Sequence, residues 1–152
     1  MPRFEASIAI VRPPEAVFGF LMRPLNAVDV TPPETALTLL EAPELLYEGC
    51  RIAFEIKAYG QTQRFVHEVV ELDPPRRFLE VQREGLFREF RHEHVVESAG
   101  ADCCVLIDRV EFEPPGGLLG FLLTEGRISE MLAGSFEHRH REIKRLVEQA
   151  GP

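Results

Sequence analysis

Apolar residues recur at every second position through most of this chain and at helical spacing near its end. Residues 3–11 alternate, with Phe4, Ala6, Ile8 and Ile10 on one face, and read as a strand. Pro14 then opens a helix, where its missing N–H costs nothing, and Val17, Phe18, Leu21 and Met22 form the apolar stripe. A second short helix, Leu25 to Val30, ends at Pro32–Pro33. Strands are predicted at 35–42, 49–59, 62–72, 77–83, 87–97 and 103–113. In the 49–59 strand Ile52, Phe54, Ile56 and Ala58 face away from Arg51, Glu55, Lys57 and Tyr59. From Leu118 to Glu148 the period becomes helical, with Ile128, Leu132, Ser135, Phe136, Ile143 and Leu146 as the stripe. Gly120, Gly126 and Gly134 weaken that helix locally, so a kink or a late start fits the pattern.

This order predicts an α+β fold. A curved, seven-stranded antiparallel sheet wraps a long C-terminal helix, with two short helices after the first strand. The four Pro-Pro pairs mark element boundaries without any low-complexity linker, so residues 1–152 are expected to form a single domain. A sheet gripping one helix incompletely leaves a cavity between them.

Composition narrows the function classes. The 25 acidic and 17 basic residues give a net charge of −8, which disfavours nucleic acid and anionic lipid surfaces. No stretch approaches the ~20 apolar residues of a membrane span, and no signal peptide is visible, so a cytoplasmic location is expected. Cys50, Cys103 and Cys104 form neither a disulfide framework nor a metal-type spacing. No cofactor is expected. The oligomeric state is not legible.

Three short motifs carry a resemblance. Asp73-Pro74-Pro75-Arg76-Arg77-Phe78 resembles the turn after the fourth strand in the START-like, or SRPBCC (polyketide cyclase/birch pollen allergen-like), superfamily. The run from Gly85 to His94 resembles the Gly-Pro-Phe-x-x-Trp-x-His-x-His of an uncharacterised bacterial subgroup, and 108–117 resembles its Asp-x-Val-x-Tyr-x-x-Pro-x-Gly. Phe136-Glu137-His138-Arg139 resembles its Phe-x-Tyr-Arg. The chain departs from these patterns at Leu86, Phe90, Phe112 and His138. The resemblance implies the helix-grip fold and a habit of binding hydrophobic ligands.

The sharpest chemical feature is His92 with His94. Residues i and i+2 of a strand share a face, here with Phe90 and Val96. On the next strand Leu106, Asp108, Val110 and Phe112 share a face. A turn centred near Gly100 places His92 opposite Asp108 and Phe90 opposite Val110. Such a pair reads as a satisfied cross-strand contact, as a head-group binder, or as the acid/base pair of a cyclase, aromatase or hydratase. His-x-His with Asp108 could also chelate zinc, but His67 lies on another strand and His138 and His140 diverge on a helix, so no metal is expected. Arg139 reads either as a snorkelling cation or as a clamp on a carboxylate, with Asp108 and Glu111 as internal candidates.

The expected ligand site comprises Phe54, Ile56, Leu79, Val81, Phe90, His92, His94, Asp108, Val110, Phe112, Leu132, Phe136 and Arg139, with His92 and Asp108 as catalytic candidates. The expected partner is a hydrophobic or amphipathic small molecule such as a lipid, isoprenoid or polyketide. Segment 116–127 and the short helices at 14–30 are expected at the entrance. The alternative of a protein-binding module requires an apolar outer sheet face.

Overall fold

The computed structural model describes residues 1–58 and 60–151; Tyr59, expected on the outer face of its strand, lies outside them. The elements are β1 (Arg3–Ile10), α1 (Pro14–Leu21), α2 (Pro24–Val30), a 3₁₀ turn at Pro33–Thr35, β2 (Thr38–Glu41), β3 (Arg51–Ala58), β4 (Gln61–Asp73), β5 (Arg77–Glu84), β6 (Glu89–Ser98), β7 (Cys104–Glu113), α3 (Gly117–Leu122) and α4 (Glu125–Gln149). One antiparallel sheet orders the strands β1-β7-β6-β5-β4-β3-β2, so chain neighbours pair throughout except where β1 closes on β7. Among the described residues no helix is long and apolar enough to cross a membrane.

Pro14 and Pro24 begin α1 and α2 in the position where a helix needs no N–H. The expected single helix from Leu118 is two. Thr124 sits in extended backbone, and its side chain accepts a hydrogen bond from the Arg127 amide, capping α4 and separating it from α3. Leu123, between the two helices, is buried as a plug.

Two apolar clusters hold the helices to the inner face of the sheet. One joins Val17, Phe18 and Leu21 of α1 with Phe78, Val96 and Leu106 of the sheet and Ile143 and Val147 of α4. The other joins Val110 and Phe112 with Leu123, Ile128 and Phe136. His140 lies between them, on the same stripe of α4 as Phe136, Ile143 and Val147.

The β6–β7 register differs from expectation by one pair along the ladder. His94 faces Asp108, His92 faces Val110 and Phe90 faces Phe112. The connecting turn runs from Ala99 to Cys103, whose backbone hydrogen bond closes it at 3.0 Å, so the hairpin centres on Ala101 rather than Gly100. A shift of two residues preserves the face, so the histidines and Asp108 still share the interior. Register shifts in β4 at Val66/His67 and Val69/Glu71 explain why that strand looks apolar on both faces in sequence.

The outer face carries a ladder of ion pairs. Glu71, Arg77, Glu93, Arg109 and Glu5 follow one another across β4, β5, β6, β7 and β1 at 2.8 to 3.2 Å. The apolar outer face required of a protein-binding module is not found at that ladder.

Candidate functional site

The pleat of β6 turns His92 and His94 inward, and both are buried. Their rings stack with centroids 3.7 Å apart, and Phe78 stacks on the far side of His94 at 3.9 Å. Asp108 from β7 lies behind the stack. Its Oδ1 accepts from His92 Nε2 at 2.6 Å and its Oδ2 from His140 Nε2 at 2.6 Å. His94 Nδ1 is 3.2 Å from Asp108 Oδ1 but off the line of a hydrogen bond. Glu80 from β5 lies in front, 3.2 Å from His94 Nε2 and 2.9 Å from His67 Nδ1. Two carboxylates and four histidines therefore form one buried network.

Charge is unevenly shared within it. Burial by itself would raise the Asp108 carboxyl, but hydrogen bonds from His140 and His92 and the close approach of His94 outweigh it and hold Asp108 well below the usual range. Glu80 is held low in the same way, with His67 and His94 overcoming burial. Burial and the neighbouring charge of His94 push His92 down to about 4. His94 goes the other way, because Asp108 and Glu80 together overcome its burial. Protonation is thus favoured on His94 and disfavoured on its stacked neighbour His92.

A cavity of about 250 Å³ opens in front of this network, between the sheet, α2 and α4. Leu21, Pro24, Ala27, Thr31, Leu37, Leu39 and Leu46 form one wall. Ile52, Phe54, Ile56, Phe78 and Phe90 form the sheet wall, and Ser135, Phe136 and Arg139 the α4 wall. His67, Glu80, His92 and His94 make the polar floor. Arg139 Nε is buried without a hydrogen-bond partner among the described residues. Asp108 and Glu111, its expected partners, are engaged elsewhere: Asp108 with the histidines and Glu111 with Arg3 at 3.9 Å.

The cavity thus collects Phe54, Ile56, Phe90, His92, His94, Phe136 and Arg139 from the residues expected there. Asp108 is one layer behind the cavity surface. Val110, Phe112 and Leu132 belong to the second apolar cluster and fill space. Leu79 and Val81 point to the opposite face of β5; the inward residues are Phe78 and Glu80. The interior of that strand is its more polar side, because Glu80 has histidine partners waiting. The expected entrance also differs in part. Leu21, Pro24 and Ala27 of the short helices line this cavity, whereas Leu118, Phe121 and Leu122 of α3 are exposed and do not line it.

Glu80, His67 and His140 were not singled out from sequence. His138 and His140 do diverge, but His140 follows Phe136 by four residues and precedes Ile143 by three. That spacing was the available signal.

A domain family described as a domain of unknown function (DUF8410) matches residues 65–147, a segment that holds the whole network. The chain belongs to this family. No curated protein matches it. Among solved structures, a START superfamily protein from Mycobacterium smegmatis superposes with a TM-score of 0.74 at 13% identity, covering 98% of this chain and 99% of the other. The ZhuI aromatase/cyclase from Streptomyces sp. R1128 gives 0.70 at 20% identity, covering 95% and 90%. A norcoclaurine synthase from Thalictrum flavum, in complex with dopamine and hydroxybenzaldehyde, gives 0.67 at 14% identity, covering 99% and 88%. The DUF8410 chain therefore has the START-like, SRPBCC helix-grip fold.

Proposed function

We infer that this DUF8410 chain binds a small amphipathic molecule in the cavity between its sheet and α4. The observation that carries this reading is the division of the walls. Leu39, Ile52, Phe54 and Phe90 offer an apolar surface, and Glu80, His92 and Arg139 offer polar atoms on the remaining side. Apolar burial at ~25 cal/mol per Å² supplies affinity, and the few polar groups set orientation. The volume of about 250 Å³ is just below the ~300–1,000 Å³ usual for small-molecule sites. It suits a compact one- or two-ring compound better than a long acyl chain. The unpartnered Arg139 Nε favours a guest with a carboxylate or another anionic oxygen.

The test is a fluorescence and calorimetric titration of chelator-treated protein with small aromatic carboxylic acids and their amides. Saturable one-to-one binding is expected, weakened at least tenfold by Ala27→Phe, which fills the cavity from α2. Arg139→Met is expected to erase the preference for acids over amides. Absence of saturable binding, or binding indifferent to Ala27→Phe, overturns the reading.

A second reading is conversion of the bound guest by a cyclase- or dehydratase-type proton transfer. It is supported by the His92–Asp108 contact at the cavity floor. Two of the solved structures sharing the fold are an aromatase/cyclase and a norcoclaurine synthase. It predicts that His92→Gln abolishes turnover of a bound guest while leaving its affinity within a few fold.

A further inference from the structure

One edge of the stacked histidines faces a recess shared with the Glu80 carboxylate. A carboxylate accepts, so the proton between His92 Nε2 and Asp108 Oδ1 sits on the imidazole, at 2.6 Å. Two imidazolium cations stacked with centroids 3.7 Å apart repel strongly, so the pair cannot comfortably both be charged. With His92 neutral, its Nδ1 is a lone pair, and it points towards Glu80 Oε1 at 4.0 Å. His92 Nδ1 and Glu80 Oε1 thus face each other as two acceptors, and a cation placed between them draws on both lone pairs. His94 Nε2 borders the same gap, 3.2 Å from Glu80 Oε2.

The spacing matches a metal ion. One ligand atom each from Glu80, His92 and His94 lies within 4.8 Å of the others. Tetrahedral ligands with bonds of ~2.1 Å sit about 3.4 Å apart, so small rotations of side chains close the set. The rear of the site is already braced. Asp108 Oδ1 is 2.6 Å from His92 Nε2 and 3.2 Å from His94 Nδ1, and His140 fixes its other oxygen at 2.6 Å. His67 holds the Glu80 carboxylate at 2.9 Å. Carboxylates behind ligating imidazoles fix tautomer and raise basicity in metal centres. The front of the set faces the cavity.

We propose that Glu80, His92 Nδ1 and His94 Nε2 form a binding site for a divalent transition-metal ion of the zinc class, with a free coordination position open to the cavity. Two imidazoles and one carboxylate are a ligand set for such ions, and three protein ligands leave room for water or a guest atom. The site stands on its own geometry and does not depend on any organic guest.

The test uses the full chain, stripped with chelator, and the metal alone. Equilibrium dialysis against Zn²⁺ is expected to load one ion per chain at micromolar concentration. Co²⁺ is expected to give the visible absorption of a low-coordinate nitrogen–oxygen site. Glu80→Gln and His94→Gln are expected to weaken Zn²⁺ binding at least 100-fold. Asp108→Asn, which acts through the two histidines, is expected to weaken it about 10- to 100-fold. His138→Gln is expected to change nothing. Because buried variants can unfold, the decisive wild-type measurement is the imidazole nitrogen NMR spectrum. On adding Zn²⁺, His92 Nδ1 and His94 Nε2 should shift together while His138 stays still. Failure of the wild type to take up a stoichiometric ion, or shifts confined to His138, overturns the proposal and assigns the recess to a proton shared by His94 and Glu80. Neither result bears on aromatic-acid binding by stripped protein.

Discussion

Asp108 of β7 and His140 of α4 meet at 2.6 Å across the space that separates sheet from helix. Both are buried, and the bond lies between the two apolar clusters. It ties the helix to the sheet between the two clusters. Replacing His140 by Ala leaves a buried carboxylate with one partner fewer and a gap beside Phe136. The expected loss is about 3–5 kcal/mol, read from urea unfolding of the metal-free protein. His140→Gln, which can still donate, should recover part of it. A loss under about 1 kcal/mol for the alanine variant would show that the contact carries little.

The two stacked histidines give the metal-free protein opposing pH limbs. His92 titrates near 4 when folded, against an ordinary histidine value of 6.5, so the unfolded chain binds more protons between those values. Stability is therefore lost as pH falls from about 6.5 towards 4. His94 is raised, so its contribution is complete below 6.5 and disappears as pH climbs through its folded value. As pH falls below the ordinary carboxylate range, Glu80 and Asp108, both held low in the folded chain, lose their contributions as well. Urea midpoints measured with chelator present should peak near pH 6.5. His92→Gln should flatten the acid limb and His94→Gln the alkaline one; a profile level from pH 5 to 8 contradicts both assignments.

Glu93 joins two guanidiniums on the outer face, accepting from Arg77 at 2.9 Å and Arg109 at 3.2 Å. It is partly exposed, so each pair is weak alone, but it is the middle of the ladder from Glu71 to Glu5. Glu93→Gln should cost about 1 kcal/mol at low salt and much less at 1 M salt, where charges are screened beyond about 3 Å. Equal losses at both salt concentrations would mean that packing, not charge, is at stake.

Gly85 has no room for a side chain. A methyl group there would strike the Gln82 amide and the Phe65 ring. Gln82 is not free to yield, because its Nε2 donates to the Phe87 carbonyl at 2.8 Å and so ties the β5–β6 connection. Gly85→Ala should lower stability by about 1–3 kcal/mol and shift the Phe87 and Phe90 resonances. Wild-type stability would mean that Gln82 swings aside at no cost.

The strands were legible because alternation is the direct imprint of a pleated sheet with one covered face. His92, His94 and Asp108 could be placed on that face from spacing alone, and a two-residue error in register did not move them off it. Glu80 could not be found this way. Period-two reading assigns the apolar pair Leu79 and Val81 to the interior of β5, and only the presence of His67 and His94 across the ladder reverses the choice. That information is non-local. The break before α4 was hidden for a different reason. Leu118 to Leu123 look helical and apolar, and the Thr124 side chain that ends the run acts through one hydrogen bond to the Arg127 amide.

The edge strand β2 sets how the interior communicates with solvent. It is four residues long, pairs only with β3, and loses register after Leu39. Yet Leu37 and Leu39 help to close the cavity. The thinnest part of the wall is therefore also the part held by fewest ladder bonds. On the proposed reading, fraying of that margin, a low-energy local opening, is the route by which a guest enters while α4, the ionic ladder and the buried histidines keep their places. Exchange rates should thus follow changes at this margin and be insensitive to changes along the helix.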